Sequence, residues 1–349
     1  MTIRIGDTLC GPGESVYVAL EIGGAVDSLE TALALTRVAG TAGADAVKVQ
    51  ILDADRLVGD PITTVSYRRE DGAIVTELMC ALLRRRSLTR DEWHQVKAEA
   101  DRWGLDFIAT VDYDTSLALA LDLGADAIKI CSGDVNHLAW IHEVGKAGKP
   151  VLLDTGHATL GEIESAVDAA LDGGAAGVCV HHCPSGYPSP LTSINLRIIT
   201  TLRQMFGDDV VVGFSDHSPG HDMDVAAVAL GACMVEKPLA LSRIGPGAES
   251  VLSLVSNEAA RFVQIMRDLD TALGSPRRHV TPTERQKKQG ARRSAFLTRD
   301  LPAGAPVLDA IDWRRPGTGI EPHEVPYLVG RVAARDLPAG CQLGWGDLR

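Results

Sequence analysis

Gly177-Val-Cys-Val-His-His-Cys183 and, further along, Val210-Val-Val-Gly-Phe-Ser-Asp-His217 share one pattern: an unbroken apolar run that ends abruptly in histidine, serine or aspartate. An unbroken run, in place of alternation, marks a strand buried on both faces, as in a parallel sheet covered by helices. Working outward, six further runs of this kind occur at Val16–Gly23, Asp45–Gln50, Asp106–Val111, Ala127–Ser132, Val151–Gly156 and Met234–Leu239. Between and after them lie amphipathic segments of helical period, predicted as helices over Leu29–Ala42, Thr89–Trp103, Thr115–Leu123, Leu138–Ala147, Leu160–Leu171, Asn195–Phe206, Asp222–Leu230 and Glu258–Leu273. Thr159 followed by Glu162 is a capping-box start for the fifth of these. Eight such units predict an α/β chain folded as a closed (β/α)8 TIM barrel, with an open doubly wound sheet as the structural alternative. The stretch Leu52–Arg86 is too long for a simple connection and is expected to cover one end of the barrel.

After Gly274 the texture becomes polar and basic, without helical period. The reading is a barrel over 1–275, a linker over 276–290 and a small β-rich domain over 291–349. The last part holds an internal repeat, Arg299-Asp-Leu-Pro-Ala-Gly304 and Arg335-Asp-Leu-Pro-Ala-Gly340, each copy between short β-type runs. The 349 residues are 45% hydrophobic and 23% charged, as in an ordinary globular protein, and the net charge of −12 argues against nucleic acid as a partner. No run approaches the roughly 18 apolar residues of a membrane span, so the expectation is a cytoplasmic protein. Seven cysteines, scattered and without a CxxC pair, read as buried reduced thiols.

In a barrel the C-terminal ends of the strands face the active site. Here those ends are polar: Glu21; Lys48 and Gln50; Asp112; Lys129, Ser132 and Asp134; Asp154 and Thr155; His181 and His182; Ser215, Asp216 and His217; Glu236 and Lys237. Lys48 and Lys129 sit inside apolar β-type runs, AVKVQ and AIKICS, where an ammonium that does not snorkel to solvent needs an anionic partner. With the hydroxyls of Ser132, Ser185 and Ser215 they outline a pocket for an oxyanion or a phosphate. His217 is a candidate metal ligand or general base, or else a histidine that is simply hydrogen-bonded.

The segments GADAVKVQ (43–50), KICSGDV (129–135), GKPVLLDTG (148–156), HCPSGYPSP (182–190), NLRIITTLRQMFG (195–207), GFSDHSPG (213–220), AAVALGACMVEK (226–237) and RPGTGI (315–320) run in order over nearly the whole chain. Together they resemble the N-acetylneuraminate (sialic acid) synthase family, and the tail resembles the antifreeze-like SAF (β-clip) domain of the same enzymes. The resemblance implies a transferase that condenses phosphoenolpyruvate with the open-chain aldehyde of an amino sugar, releasing phosphate and forming a 2-keto acid. It implies that Lys48, Lys129, Ser132, Ser185 and Ser215 hold phosphoenolpyruvate, and that Glu21, Asp134, Tyr187 and Glu249 face the acceptor. His217 would bind a divalent metal, manganese or magnesium. Arg315 would reach from the small domain into a partner's site, which implies a domain-exchanged homodimer.

Departures from the family cluster on the acceptor and metal side. The second metal histidine is replaced by Pro238, and the Asn-His-Asn-Gly segment after the first strand by Glu21-Ile-Gly-Gly24-Ala-Val-Asp27. The serine beside phosphoenolpyruvate is Asp154, the glutamate at 134 is Asp134, and Ser242 and Ala248-Glu249-Ser250 also differ. Three readings follow: condensation of phosphoenolpyruvate with an altered aldehyde or sugar acceptor, the metal being rebuilt around His217 or dispensed with; diversion of the scaffold to another lyase or transfer reaction on an anionic substrate in specialised biosynthesis; or a non-catalytic binding paralogue.

Overall fold

A computed structural model describes residues 1–245 and 247–349. The chain divides into a unit of residues Met1–Gly274 and a unit of residues Ser275–Arg349. The first opens with an antiparallel hairpin, β1 (Ile3–Ile5) and β2 (Thr8–Cys10). It continues through β3 (Tyr17–Glu21) and β4 (Ala46–Ile51), then a second antiparallel pair, β5 (Thr64–Arg68) and β6 (Ile74–Leu78). There follow β7 (Asp106–Val111), β8 (Ala127–Ile130), β9 (Val151–Asp154), β10 (Val178–His182), β11 (Val211–Ser215) and β12 (Met234–Pro238).

The eight parallel strands β3, β4 and β7 to β12 form a closed barrel. Closure is made by β12 against β3, with Glu236 opposite Ala19 and Pro238 opposite Glu21. That pairing removes the open-sheet alternative. The strands are buried along their whole length apart from a half-buried Gln50 on β4, because helices such as Leu29–Ala42, Arg90–Arg102 and Leu160–Gly173 cover the outside. The last two helices start in full capping boxes, Thr89 with Glu92 and Thr159 with Glu162.

Inside the barrel the two ends differ. In the N-terminal half, Tyr17, Ala19, Ile108, Leu152, Val211 and Met234 pack with Ile3, Ile5 and Cys10 of the hairpin into an apolar plug. The hairpin escaped the sequence reading because strands of three residues are too short to show a period. The plug leaves only the C-terminal half for polar side chains, which is where the strand ends place them.

Several local features differ from expectation. Leu52–Arg86 holds real structure: the helix Ala54–Leu57, the β5–β6 hairpin and the helix Met79–Arg86. The helix expected over Asn195–Phe206 begins at Arg197, because Asn195 adopts a left-handed conformation (φ 47°), and a short helix, Leu191–Ile194, precedes it. The polar stretch after Gly274 carries a helix, Pro282–Ala291, started by the Thr281–Glu284 capping box with proline in its first turn. All seven cysteines are free, and Cys10, Cys80, Cys179 and Cys183 are buried. No helix among the described residues is long and apolar enough to cross a membrane.

The second unit contains an antiparallel pair, β13 (Ser294–Leu297) and β14 (Ile311–Arg314), around a small core that includes Leu297, Val307, Ile320 and Leu343. The sequence repeat becomes a reciprocal contact here. Leu301 and Leu337 exchange backbone hydrogen bonds at 2.9 Å in both directions. The Asp336 carboxylate accepts from the Ala303 N–H at 2.7 Å, and Asp300 accepts from Ala339 at 2.7 Å.

The helices Leu138–Gly145 and Leu160–Gly173 approach closely through facing glycines. A Cβ on Gly173 would lie 2.3 Å from the His142 carbonyl oxygen, and one on Gly145 would lie 2.5 Å from that of Ala170. Backbone cannot give way as a side-chain tip can. Gly173→Ala is therefore expected to destabilise the chain by about 1–3 kcal/mol, the usual range for overpacking, read as a lower midpoint in denaturant or thermal unfolding; an unchanged midpoint would show that the helix contact is loose.

Candidate active site

Five strand ends bring a chain of charges together at the C-terminal mouth of the barrel. Glu236 on β12 stands between two lysines: its Oε1 accepts from Lys48 Nζ at 2.8 Å and its Oε2 from Lys129 Nζ at 2.7 Å. Ser215 Oγ donates to the same Oε1 at 3.2 Å. Lys48 also pairs with Glu21 Oε2 at 2.9 Å, and Glu21 Oε1 accepts from Gln50 Nε2 at 2.9 Å and the Gly24 N–H at 3.0 Å. Lys129 pairs on its other side with Asp154 Oδ1 at 2.8 Å and meets His181 Nδ1 at 2.8 Å. Lys129 has no solvent exposure and Lys48 only 5%, so neither snorkels.

Burial by itself would strip the proton from both ammoniums. Glu21 and Glu236 beside Lys48, and Asp154 and Glu236 beside Lys129, outweigh it and hold both above the ordinary lysine value. Burial pushes the Glu236 carboxyl up, but the two lysines win and keep it well below the usual range. Asp154 is likewise lowered, chiefly by Lys129, against its own burial. Glu21 goes the other way. Burial raises it to about 7, opposed by Lys48 and assisted by the carboxylates of Glu249 and Glu236. Burial and the Lys129 charge depress His181, so its neutral Nδ1 is the acceptor for the ammonium.

Glu21, Lys48, Gln50, Lys129, Asp154 and Glu236 line a cavity of about 280 Å³, together with Thr110, Ser132, His157, Tyr187, His217 and Glu249. Ser132 Oγ accepts the Gly156 N–H at 3.1 Å, which ties the turn after β8 to the end of β9. His157 has a left-handed backbone (φ 68°) and meets Ser185 Oγ at 3.2 Å. Ser185 borders a neighbouring hollow beside the main cavity. Asp134 accepts from Cys131 Sγ at 3.1 Å, and Ser215 is turned to Glu236; neither is among the residues lining the main cavity. Arg315 is exposed on the second unit.

In the sequence Glu236 and Gln50 stand only as polar strand ends, without a role. The partners of Glu236 lie 188 and 107 residues away in sequence, and nothing local announces such a bridge. Lys237, read beside Glu236, points away from the cavity, since neighbours on a strand face opposite sides. It is fully buried against Asp216, Asp224 (3.3 Å) and the Ser218 carbonyl (2.7 Å). That lock fixes the loop that presents His217.

The divalent metal implied by the resemblance does not fit these residues. His217 Nδ1 donates to the Pro184 carbonyl at 3.1 Å, which orients the ring and leaves Nε2 as one possible ligand, but one histidine does not make a site. Pro238 has no side-chain donor, and its carbonyl is taken by the Leu254 N–H at 2.8 Å. Among the described residues no three His, Cys, Asp or Glu side chains converge as a metal ion would require.

The NeuB family matches residues 35–278 and the SAF domain residues 292–349. The chain is 31% identical over 348 residues to an uncharacterized protein of Methanocaldococcus jannaschii, covering 99% of this chain and 98% of that one. It is 30% identical over 322 residues to the N,N'-diacetyllegionaminic acid synthase of Legionella pneumophila, covering 91% and 90%. Among solved structures it is similar to the spore coat polysaccharide biosynthesis protein SpsE of Bacillus subtilis, with a TM-score of 0.67, 27% identity and 99% of each chain covered. The family match spans every strand end of the charged cavity except Glu21, and the chain therefore belongs to the NeuB family, with a C-terminal SAF domain.

Proposed function

We propose that the chain condenses phosphoenolpyruvate with the open-chain aldehyde of a sugar, releasing phosphate and forming a 2-keto acid, and that its acceptor differs from that of the N-acetylneuraminate synthases. The observation that carries this reading is the pair of buried lysines bridged by Glu236 in a cavity sized for a small anion. Two buried ammoniums held charged by neighbouring carboxylates serve little purpose in a purely structural core, and suit a donor with a carboxylate and a phosphate. Family membership supports the same chemistry.

In this reading Lys48, Lys129 and Ser132 position the donor so that its methylene carbon faces the aldehyde, with Ser215 acting through Glu236 and Ser185 from the adjoining hollow. The new carbon–carbon bond forms there, water adds to the adjacent carbon, and phosphate leaves. Glu21, with a carboxyl raised to about 7, is protonated in part of the population near neutrality and gives its proton to the aldehyde oxygen as charge builds on it. No step is routed through a metal. The acceptor meets Glu249 and Tyr187, and the loss of the Asn-His-Asn-Gly segment removes amide and imidazole partners from that side. A homodimer in which Arg315 completes the site of a second copy belongs to the same reading, as does action in the cytoplasm.

Calorimetric titration of the full chain with phosphoenolpyruvate, in chelator and then with manganese, tests the donor. Lys48→Ala is expected to weaken binding on the order of a hundredfold, since it removes the one ammonium that faces both Glu21 and Glu236; absence of binding to the unmodified chain in either condition would overturn the reading and favour another transfer reaction or a binding role. The pH dependence has a definite sign. Below about 7 Glu21 is neutral and the cavity holds one negative charge fewer. Affinity for phosphoenolpyruvate should fall as pH rises through that value, relative to Glu21→Gln, which cannot ionise. A wild-type to Gln affinity ratio that stays flat from about pH 6 to about pH 8 would remove Glu21 as the titrating group.

A further inference from the structure

An ammonium has three N–H donors. On Lys129 two are taken, by Glu236 Oε2 at 2.7 Å and His181 Nδ1 at 2.8 Å, and the remaining side is covered by the ion-paired Asp154 Oδ1 at 2.8 Å, in a setting with no solvent exposure. Lys48 has two carboxylate partners, Glu21 and Glu236, and lines the cavity with its third donor to spare. The two lysines are therefore unequal. One has a side open to a ligand, and on the other that side is covered by Asp154. The charge balance points the same way: two buried ammoniums face the three carboxylates of Glu21, Asp154 and Glu236, so the cavity holds no excess positive charge with which to draw in a multiply charged anion.

We propose that Asp154 is a built-in occupant of the anion subsite on Lys129: a ligand carboxylate or phosphate reaches that ammonium only by displacing the Asp154 side chain, which thereby sets which anions the site accepts. Of the three acceptors, Asp154 is the one able to move. Glu236 is held at both oxygens, by Lys48 and Ser215 on one and Lys129 on the other, and its side chain is 4% exposed. His181 is fully enclosed, with its ring edge against Gly213, where an added Cβ would lie 2.4 Å from Cδ2. Asp154 lines the cavity at the end of β9, 10% exposed, with Gly156 two residues on. Displaced, its carboxylate stays at the cavity edge beside His181, 3.3 Å from Nδ1 in the resting arrangement. The competition selects by charge. A ligand must replace a full carboxylate on Lys129 and then share the cavity with it, which penalises a dianion more than a monoanion.

This inference rests on the reading of the cavity as an anion site, and the test separates the two. The full-length chain, Asp154→Ser and Asp154→Asn are titrated at one pH and ionic strength with phosphoenolpyruvate, inorganic phosphate and pyruvate. Asp154→Ser should bind phosphoenolpyruvate and phosphate at least about tenfold more tightly than the wild type, with a smaller gain for pyruvate and a lesser effect in Asp154→Asn, which keeps a neutral acceptor on Lys129. Equal or weaker binding of all three anions by the variants would overturn the role of Asp154 while leaving the anion site in place. If phosphoenolpyruvate binds to none of the proteins but phosphate and pyruvate tighten on substitution, Asp154 keeps its role and the donor assignment falls. If no anion binds to any of them, both fall. A crystal of the wild-type chain soaked in phosphate gives a reading that needs no variant: Asp154 should have left Lys129, and an anion bound in the cavity with the Asp154–Lys129 pair intact would overturn the proposal.

Discussion

Glu236 is the constraint on which the rest of the site depends. Two buried ammoniums cannot be held side by side unless a carboxylate lies between them, and Glu236 gives one oxygen to each. Glu21 and Asp154 then complete the outer side of each lysine, and the row runs from β3 through β4, β12 and β8 to β9. Removing one member of such a buried set ordinarily costs about 3–5 kcal/mol, because the group left behind is charged and unpaired. A core that needed only stability would be built more simply from apolar side chains. The arrangement makes sense as machinery for a charged ligand, with the unequal bonding of Lys48 and Lys129 as its distinguishing mark.

A second buried ion cluster does different work. Lys237 follows Glu236 directly, and the alternation of a strand sends it to the outer face, where Asp216 and Asp224 enclose it and the Ser218 carbonyl accepts from it. The cavity gains a fixed His217 loop from this without any of those three charges entering it. Burial raises the Asp224 carboxyl well above the ordinary aspartate value, with Lys237 opposing and Asp216 adding to the rise. Two adjacent residues of one strand thus anchor two separate networks, one for ligands and one for shape.

The N-terminal hairpin governs the other end of the barrel. Ile3, Ile5 and Cys10 close the lower half with an apolar plug, and Tyr17 donates to Asp106 at 2.8 Å beside it. With that half filled, the polar residues at the strand ends have one direction in which to gather. The division into an apolar floor and a charged mouth is what turns eight separate strand ends into a single cavity.

Much of this was legible in the chain itself. The unbroken apolar runs determined the strands, the helical period between them determined the covering layer, and the positions of Lys48, Lys129 and His217 at run ends marked the functional face, because burial on both faces and a 3.6-residue period are local properties. The repeat at Arg299 and Arg335 announced a second unit in the same way. Closure of the sheet, the plug made by the short hairpin, the outward turn of Lys237 and the pairing of Asp154 with Lys129 were decided by tertiary structure. Each joins residues remote in sequence or depends on which face of a strand is turned inward. A lysine in an apolar run states that a counter-ion is needed; only the folded barrel determines that Glu236 and Asp154 are the ones, since Coulomb attraction acts through distance in space and carries no trace of separation along the chain.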